Sequence, residues 1–213
     1  MEESSKRLAH AFLQGDIHSS WQIVQEHINQ GMNSYYIYEH LLSKAMYSIG
    51  DMWEENIITV ADEHIATGVC DFILSRYAFN HINTNNHDKR AMFFCVEGEE
   101  HFLGIKMVNA LFQENGWDVR FLGPNLPLEY ALYSIQNFKP HVVGISVSLS
   151  TQLPQLEEYV NKINSLKERP DIIIGSRLGP MLSIFENMPN VHFIHSLQEI
   201  RAWFEEVPLQ LSN

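Results

Sequence analysis

The segment Glu99-Glu100-His101-Phe102-Leu103-Gly104 combines residue types that can hold a metal ion. An apolar run, Ala91 to Val96, precedes it and an amphipathic pattern, Phe102 to Gln113, follows it, so the segment is predicted to join a strand to a helix. In a parallel α/β sheet such a joint lies at the carboxyl edge, where ligands bind. His101 is therefore a candidate metal ligand, and Glu99 is the carboxylate placed to hold its other ring nitrogen.

Taken alone, the pattern E-x-H-x-x-G also describes a solvated surface loop, so its surroundings decide between the two interpretations. Gly104 lets a backbone or a flat ligand approach closely. Small or hydroxyl-bearing residues are expected at the same edge after two other strands, where they open a slot: Gly144-Ile-Ser146-Val-Ser148 and Gly175-Ser176. Gly123-Pro-Asn-Leu-Pro127, after the second strand, is expected to form a turn on the same side.

The C-terminal part of the chain alternates strand-like and helical patterns, which favours a parallel sheet with helices on both faces. The predicted fold is a doubly wound, flavodoxin-like domain with five parallel strands over residues 90–213. The predicted strands are Ala91-Val96, Asp118-Leu122, His141-Val147, Asp171-Ile174 and Val191-Ile194; the predicted helices are Phe102-Gln113, Leu128-Phe138, Leu153-Lys167, Met181-Asn187 and Leu197-Phe204.

Residues 1–80 show apolar residues at three- and four-residue intervals, which predicts an N-terminal four-helix bundle that caps the second domain. Asn33-Ser34 and Thr59 are candidate helix caps. The third helix is predicted over Tyr35 to Trp53 and the fourth over Val60 to Phe79. Residues 81–89 are polar and poor in helix formers, so they are predicted to form a linker.

The composition indicates an ordinary globular protein with a cytoplasmic location. The 213 residues carry a formal charge of −12, which opposes direct contact with a nucleic-acid backbone. No apolar run reaches the roughly 20 residues that span a membrane. Cys70 and Cys95 are the two cysteines, and both are expected to be buried free thiols.

These motifs resemble the cobalamin-binding proteins that pair a four-helix cap with a flavodoxin-like domain, over nearly the whole chain. The family pattern is D/E-x-H-x-x-G, then S-x-L, then G-G. Here Ser148 stands at the leucine position and Ser176 at the second glycine. The resemblance implies that His101 is the lower axial ligand of cobalt, with the cobalamin tail in the slot beside Ser146 and Gly175.

A second motif, W-x9-E-H, resembles the CarH-type light-sensing regulators. It is formed by Trp53, Glu63 and His64, with Val60-Ala61 in family-like places. The resemblance implies that adenosylcobalamin is the chromophore, with these residues packed around its adenosyl group. The chain is expected to begin with the bundle and to lack the winged helix-turn-helix DNA-binding domain of those regulators. Glu54 stands in place of the histidine that follows the tryptophan in some of them.

Three functions follow from these resemblances as alternatives. The first is a stand-alone, non-catalytic cobalamin sensor that acts as an adenosylcobalamin-dependent photoreceptor through a protein partner such as a transcription factor or anti-repressor. The second is a corrinoid methyl-carrier protein of a methyltransferase system, for which methylcobalamin is the expected form. The third is an interaction domain without cobalamin. A homo-oligomer, either a dimer or a tetramer, is expected from the related sensors.

Overall fold

The N-terminal unit, Met1–His81, is helical. In this computed structural model, residues 2–84, 88–176, 178–185 and 187–206 are described. Side-chain caps start the helices as predicted: Thr59 accepts a hydrogen bond from the Asp62 N–H, and Asn33 accepts one from the Tyr36 N–H. The helices are α1 (Glu2–Leu13), α2 (Ile17–Asn29), α3 (Lys44–Glu54) and α4 (Val60–Phe79), with a π-helix, Tyr36–Ser43, running into α3.

The π-helix departs from the single long helix predicted over Tyr35 to Trp53. Apolar spacings of three and four residues fit both helix types, so the sequence pattern could not separate them. Its buried residues include Tyr38, whose ring meets that of Tyr77 edge-on at 5.4 Å. The Tyr77 hydroxyl also lies 3.1 Å from the Ser34 hydroxyl, which ties α4 to the segment before the π-helix.

The second unit, Ile82–Asn213, contains a five-stranded, all-parallel sheet. Its strand order, β2-β1-β3-β4-β5, confirms the predicted fold class. The elements are β1 (Arg90–Val96), α5 (Leu103–Glu114), β2 (Asp118–Leu126), α6 (Leu128–Phe138), β3 (Val142–Ser146), α7 (Leu153–Asn164), β4 (Asp171–Gly175), β5 (Val191–Ile194) and α8 (Leu197–Glu206).

Helices cover both faces of the sheet because side chains alternate along each strand. In β1, Met92 and Phe94 belong to the core cluster that α6 and α7 complete. Phe93 points to the other face, where its ring lies 4.8 Å from that of Phe112 in α5. Phe112 in turn contacts Trp203 of α8 at 5.4 Å.

Two predicted elements differ from the structure. The segment from Gly123 was expected to be a turn, but β2 continues through Leu126 and pairs with Val96, with register shifts along the ladder. As an edge strand β2 tolerates its proline, and Gly123 and Asn125 adopt positive φ. The helix predicted near Met181 is a run of 3₁₀ turns, Gly179–Phe185, since its glycine-proline start is a poor α-helix former.

Both cysteines are buried free thiols, as predicted. Burial, followed by the charges of Glu99 and Glu100, raises the pKa of Cys95 to about 12, so this thiol is unreactive at neutral pH. In the described ranges, no helix combines the length and the apolar character that crossing a membrane requires.

Candidate functional site

The carboxylate of Glu99 is the centre of a hydrogen-bonded cluster at the carboxyl end of β1. Its side chain is fully buried, and Oε1 accepts from the His101 N–H at 2.8 Å and contacts His101 Nδ1 at 2.6 Å. Its second oxygen, Oε2, accepts from both the backbone N–H and the hydroxyl of Ser148, each at 2.6 Å. Two loops, after β1 and after β3, are thereby tied to one buried charge.

This arrangement fixes the state of the His101 imidazole. A carboxylate only accepts hydrogen bonds, so the proton of the neutral ring lies on Nδ1 and the lone pair on Nε2. The side chain is 66% exposed although its partner is fully buried. Glu99 therefore orients the ring, and Nε2 is the nitrogen through which His101 would bind a metal.

Hydrogen bonding keeps Glu99 ionised in spite of its burial. Burial alone would raise the pKa of this carboxyl, but the hydrogen bonds from His101 and Ser148 outweigh it and lower the pKa to about 2. The ordinary pKa of this carboxyl is 4.5. At about 1.4 kcal/mol per pKa unit, the lowered pKa adds about 3 kcal/mol to the free energy of unfolding at neutral pH.

The substitution Glu99→Gln tests this charge. A group with a lowered pKa contributes stability that is present above its unfolded-state value and is lost as the pH falls toward the folded-state value. We therefore expect wild-type protein without cofactor to lose about 3 kcal/mol between pH 5 and pH 2 from this group. The variant should be less stable at pH 7 and lack this part of the acid dependence, as measured by urea unfolding across pH.

Glu100→Gln is the matched control, because Glu100 is an exposed neighbour of the same charge. It should leave the pH dependence of unfolding close to that of the wild type. Equal acid dependence in the Glu99→Gln variant and the wild type would contradict the assigned pKa.

Ser148 has a different contact from the one expected from sequence. The resemblance put it at the leucine position of the tail slot, whereas its hydroxyl contacts Glu99 and lies 3.0 Å from His101 Nδ1. Glu99, His101 and Ser148 therefore form one polar triad. The motif could not predict these contacts, because Ser148 is 49 positions from Glu99 and 47 positions from His101.

Asn125 and Tyr159 hold the same loop and were missed by the sequence analysis. The Asn125 side-chain oxygen accepts from the Gly98 N–H at 2.8 Å, and the backbone N–H of Asn125 donates to the Glu99 carbonyl at 3.0 Å. The Tyr159 hydroxyl, on α7, accepts from the Glu97 N–H at 3.3 Å and donates to the Leu126 carbonyl at 2.5 Å. The loop that carries His101 is thus fastened to β2 and to α7.

The remaining predicted positions of this unit lie along the same strand ends. Ser146 and Gly175 are paired neighbours at the ends of β3 and β4. Ser176 is buried, and its hydroxyl accepts from the Leu178 N–H at 3.1 Å, so it is engaged within its own turn. A Cβ atom added to any of three glycines would meet nothing within 4 Å, which leaves open space at this edge: Gly104, Gly123 and Gly175.

These residues fit a cobalt-containing macrocycle. A macrocycle needs only one axial ligand from the protein, and Glu99 orients the His101 ring at this edge. Gln152, in the turn after β3, is buried, and its side-chain oxygen has no partner within the described chain. This side chain lies beside Gly98 in the His101 loop. Its oxygen can therefore accept a hydrogen bond from a ligand at the carboxyl edge of the sheet.

The predicted residues of the helical unit lie at the end of α3 and the start of α4. Trp53 is 48% exposed, and Val60 is exposed as well. The Glu63 carboxylate contacts His64 Nδ1 at 2.8 Å and accepts from the Thr67 hydroxyl at 2.6 Å. Trp53 therefore lies outside the buried core of the helical unit.

Two family models match the two units. Residues 89–184 match a B12 binding domain, and residues 5–77 match a second B12 binding domain model. Both matches agree with the division of the chain into a helical and an α/β unit.

Curated relatives include a regulator and several corrinoid proteins. The HTH-type transcriptional repressor CarH of Myxococcus xanthus is 23% identical over 133 residues, which cover 62% of this chain and 44% of the repressor. Dimethylamine corrinoid protein 1 of Methanosarcina acetivorans is 26% identical over 82 residues, 38% of each chain. The matches span less than half the length of these relatives.

A solved structure shares the fold over most of the chain. The Methanosarcina barkeri monomethylamine corrinoid protein superimposes with a TM-score of 0.74 at 18% identity, covering 96% of this chain and 98% of that one.

Proposed function

Because the chain belongs to the B12-binding proteins that join a helical domain to a flavodoxin-like domain, we propose that it is an adenosylcobalamin-dependent sensor. It binds cobalt through Nε2 of His101 and acts through a protein partner. We choose the adenosyl form because an exposed apolar surface surrounds Trp53 in the helical unit.

Three apolar side chains form that surface. Trp53, Ile57 and Val60 follow each other around the turn between α3 and α4, and all three are exposed. Exposed apolar groups gathered at one place are typical of a ligand or partner site. An indole and two aliphatic side chains suit the flat, partly apolar adenosyl group, and Glu63 with His64 adds polar partners beside them.

In this proposal Glu99 and Ser148 orient His101, while the small residues Ser146, Gly175, Ser176, Gly123 and Gly104 accommodate the cofactor. Loss of the adenosyl group by light or by cofactor depletion removes contacts that only one state of the protein makes. A ligand shifts a conformational equilibrium only through such differential contacts. The readout is a changed affinity for a protein partner, such as a transcription factor or anti-repressor, or a changed homo-oligomeric state.

The substitution Trp53→Ala tests the adenosyl contact. We expect it to weaken adenosylcobalamin binding by about tenfold, the effect of one buried aromatic contact, with little effect on hydroxocobalamin. Affinities are measured in the dark by absorbance titration. Phe72→Ala is the matched control, because Phe72 is 47% exposed on α4 of the same unit.

Equal losses of affinity for adenosyl-, methyl- and hydroxocobalamin would show that Trp53 does not contact the adenosyl group. An equal effect of Phe72→Ala would show that the loss comes from the bundle as a whole. The dark complex is then illuminated: a spectral change with an altered elution volume supports a photoreceptor, whereas unchanged assembly and partner binding argue against one.

A methyl carrier is the second candidate, and the relatives named dimethylamine corrinoid proteins favour it. A carrier exposes the upper face of cobalt to partner enzymes instead of enclosing it. It would retain methyl- or hydroxocobalamin in preference to the adenosyl form, and Trp53→Ala would change none of these affinities. The same titrations therefore separate the two functions.

A further inference from the structure

A cavity lies at the edge of the sheet where the strands begin, opposite to the edge that carries His101. Its volume is about 450 Å³, and it opens where β1, β3 and β4 begin, at Arg90, His141 and Asp171. The remaining lining residues come from the ends of α6 and α7 and the loops that follow them: Ile135, Gln136, Lys139, Pro140, Leu166, Lys167, Glu168 and Arg169.

The cavity gathers positive charge in an acidic protein. Four of the fourteen Lys and Arg residues line it, against two carboxylates, Glu168 and Asp171, in a chain of net charge −12. Lys139 is paired with Glu168 at 3.1 Å, and both side chains are more than half exposed, so solvent weakens this pair. No carboxylate of the described residues lies within 4.0 Å of Arg90, Lys167 or Arg169.

Part of this charge has a structural explanation. The carboxyl ends of α6 and α7 lie at this edge, and lysines near helix ends offset the partial negative charge of the last carbonyl groups. Lys139 and Lys167 fit that role. Arg90 begins a strand and Arg169 precedes one, so neither belongs to a helix end.

His141 supplies a neutral donor to the same cavity. Its Nδ1 accepts from the Arg90 N–H at 3.0 Å, which leaves the ring proton on Nε2. Burial, and then the charges of Arg90 and Lys89, lower the pKa of His141, so the ring is neutral at pH 7. Cations and a neutral N–H donor together match the acceptor oxygens of an anion.

Part of the cavity wall is apolar and is formed by Ile135, Pro140 and Leu166. Small-molecule sites have volumes of about 300 to 1,000 Å³ and combine an apolar wall with a few polar groups. The cavity therefore suits an anion that carries an organic group.

We propose that this cavity is a second ligand site, distinct from the cofactor site, that binds a small organic phosphate of nucleotide size. Arg90 and Arg169 contact the phosphate, because guanidinium groups bind phosphate oxygens in pairs. His141 adds a donor, and the apolar wall receives the organic group.

The test is calorimetric titration of the hydroxocobalamin-loaded protein with ATP, AMP, adenosine, inorganic phosphate and citrate. Loading with cobalamin fills the tail slot, which could itself accept a nucleotide. We expect ATP or AMP to bind at least tenfold more tightly than inorganic phosphate or citrate, and adenosine not to bind. The paired substitution Arg90→Gln and Arg169→Gln should weaken that binding by at least about tenfold, the effect of one charged hydrogen bond.

Lys162→Gln is the control, because Lys162 is exposed on α7 outside the cavity. It should leave nucleotide affinity unchanged. Absence of nucleotide binding, equal binding of citrate, or binding that survives the arginine substitutions would overturn the proposal. The titration is repeated on cobalamin-free protein, so failure of the cavity and failure of the proposed cofactor function are observed separately.

Discussion

His101→Ala is expected to abolish histidine coordination of cobalt in a protein that remains folded. The imidazole is mostly exposed, so its removal leaves no cavity in the core. Changing a partner of a metal-ligating histidine typically costs 10- to 100-fold in metal affinity, and loss of the ligand itself should cost at least about tenfold. The absorbance spectrum of bound cobalamin reports the axial ligand directly.

The fold and the stability of the His101→Ala variant, measured by circular dichroism and urea unfolding, should change less than its cobalamin affinity. Glu99 loses one charge-assisted hydrogen bond, worth about 1 to 3 kcal/mol, but keeps the bonds from the His101 backbone and Ser148. His195→Ala is the matched control, since His195 is exposed and follows β5. A histidine-coordinated spectrum in the His101 variant would contradict the ligand assignment.

Gly144→Ala is expected to destabilise the α/β unit strongly. Gly144 pairs with Phe93 across β3 and β1, and a Cβ atom at this position would overlap the Phe93 ring. The ring is fully buried and packs against Phe112, so it has little room to move. Overpacking of this kind costs about 1 to 3 kcal/mol or more, measured by thermal and urea unfolding.

Gly175→Ala is the comparison within the same sheet. A Cβ atom there meets nothing within 4 Å, so stability should change little, whereas cobalamin affinity should fall if the slot holds the cofactor tail. A second substitution, Phe93→Leu in the Gly144→Ala background, should restore part of the lost stability. Equal stability of the Gly144→Ala and Gly175→Ala variants would contradict the packing argument.

The sequence predicted the elements better than the contacts between them. Alternating apolar runs predicted the parallel sheet, and the position of His101 between a strand and a helix placed it at the carboxyl edge. Glu99 was predicted as its partner because the two are only two residues apart. Local spacing carries that kind of information.

Long-range contacts left no such trace. Asn125 contacts Gly98 across 27 positions and Tyr159 contacts Glu97 across 62. Local residue spacing cannot predict contacts between residues so far apart. Ser148 was interpreted through a motif position, although a hydroxyl placed at a strand end can turn toward a neighbouring carboxylate. The π-helix before α3 escaped for a different reason, since apolar periodicity does not resolve hydrogen-bond register.

If the His101 loop binds the cofactor as proposed, its fastening by Asn125, Tyr159 and Ser148 affects the thermodynamics of binding. A loop already ordered in the free protein loses little conformational entropy when the ligand arrives. This contribution would be the same for every cobalamin that offers the same lower face. Differences in affinity between cofactor forms would then originate on the upper face, where the forms differ chemically.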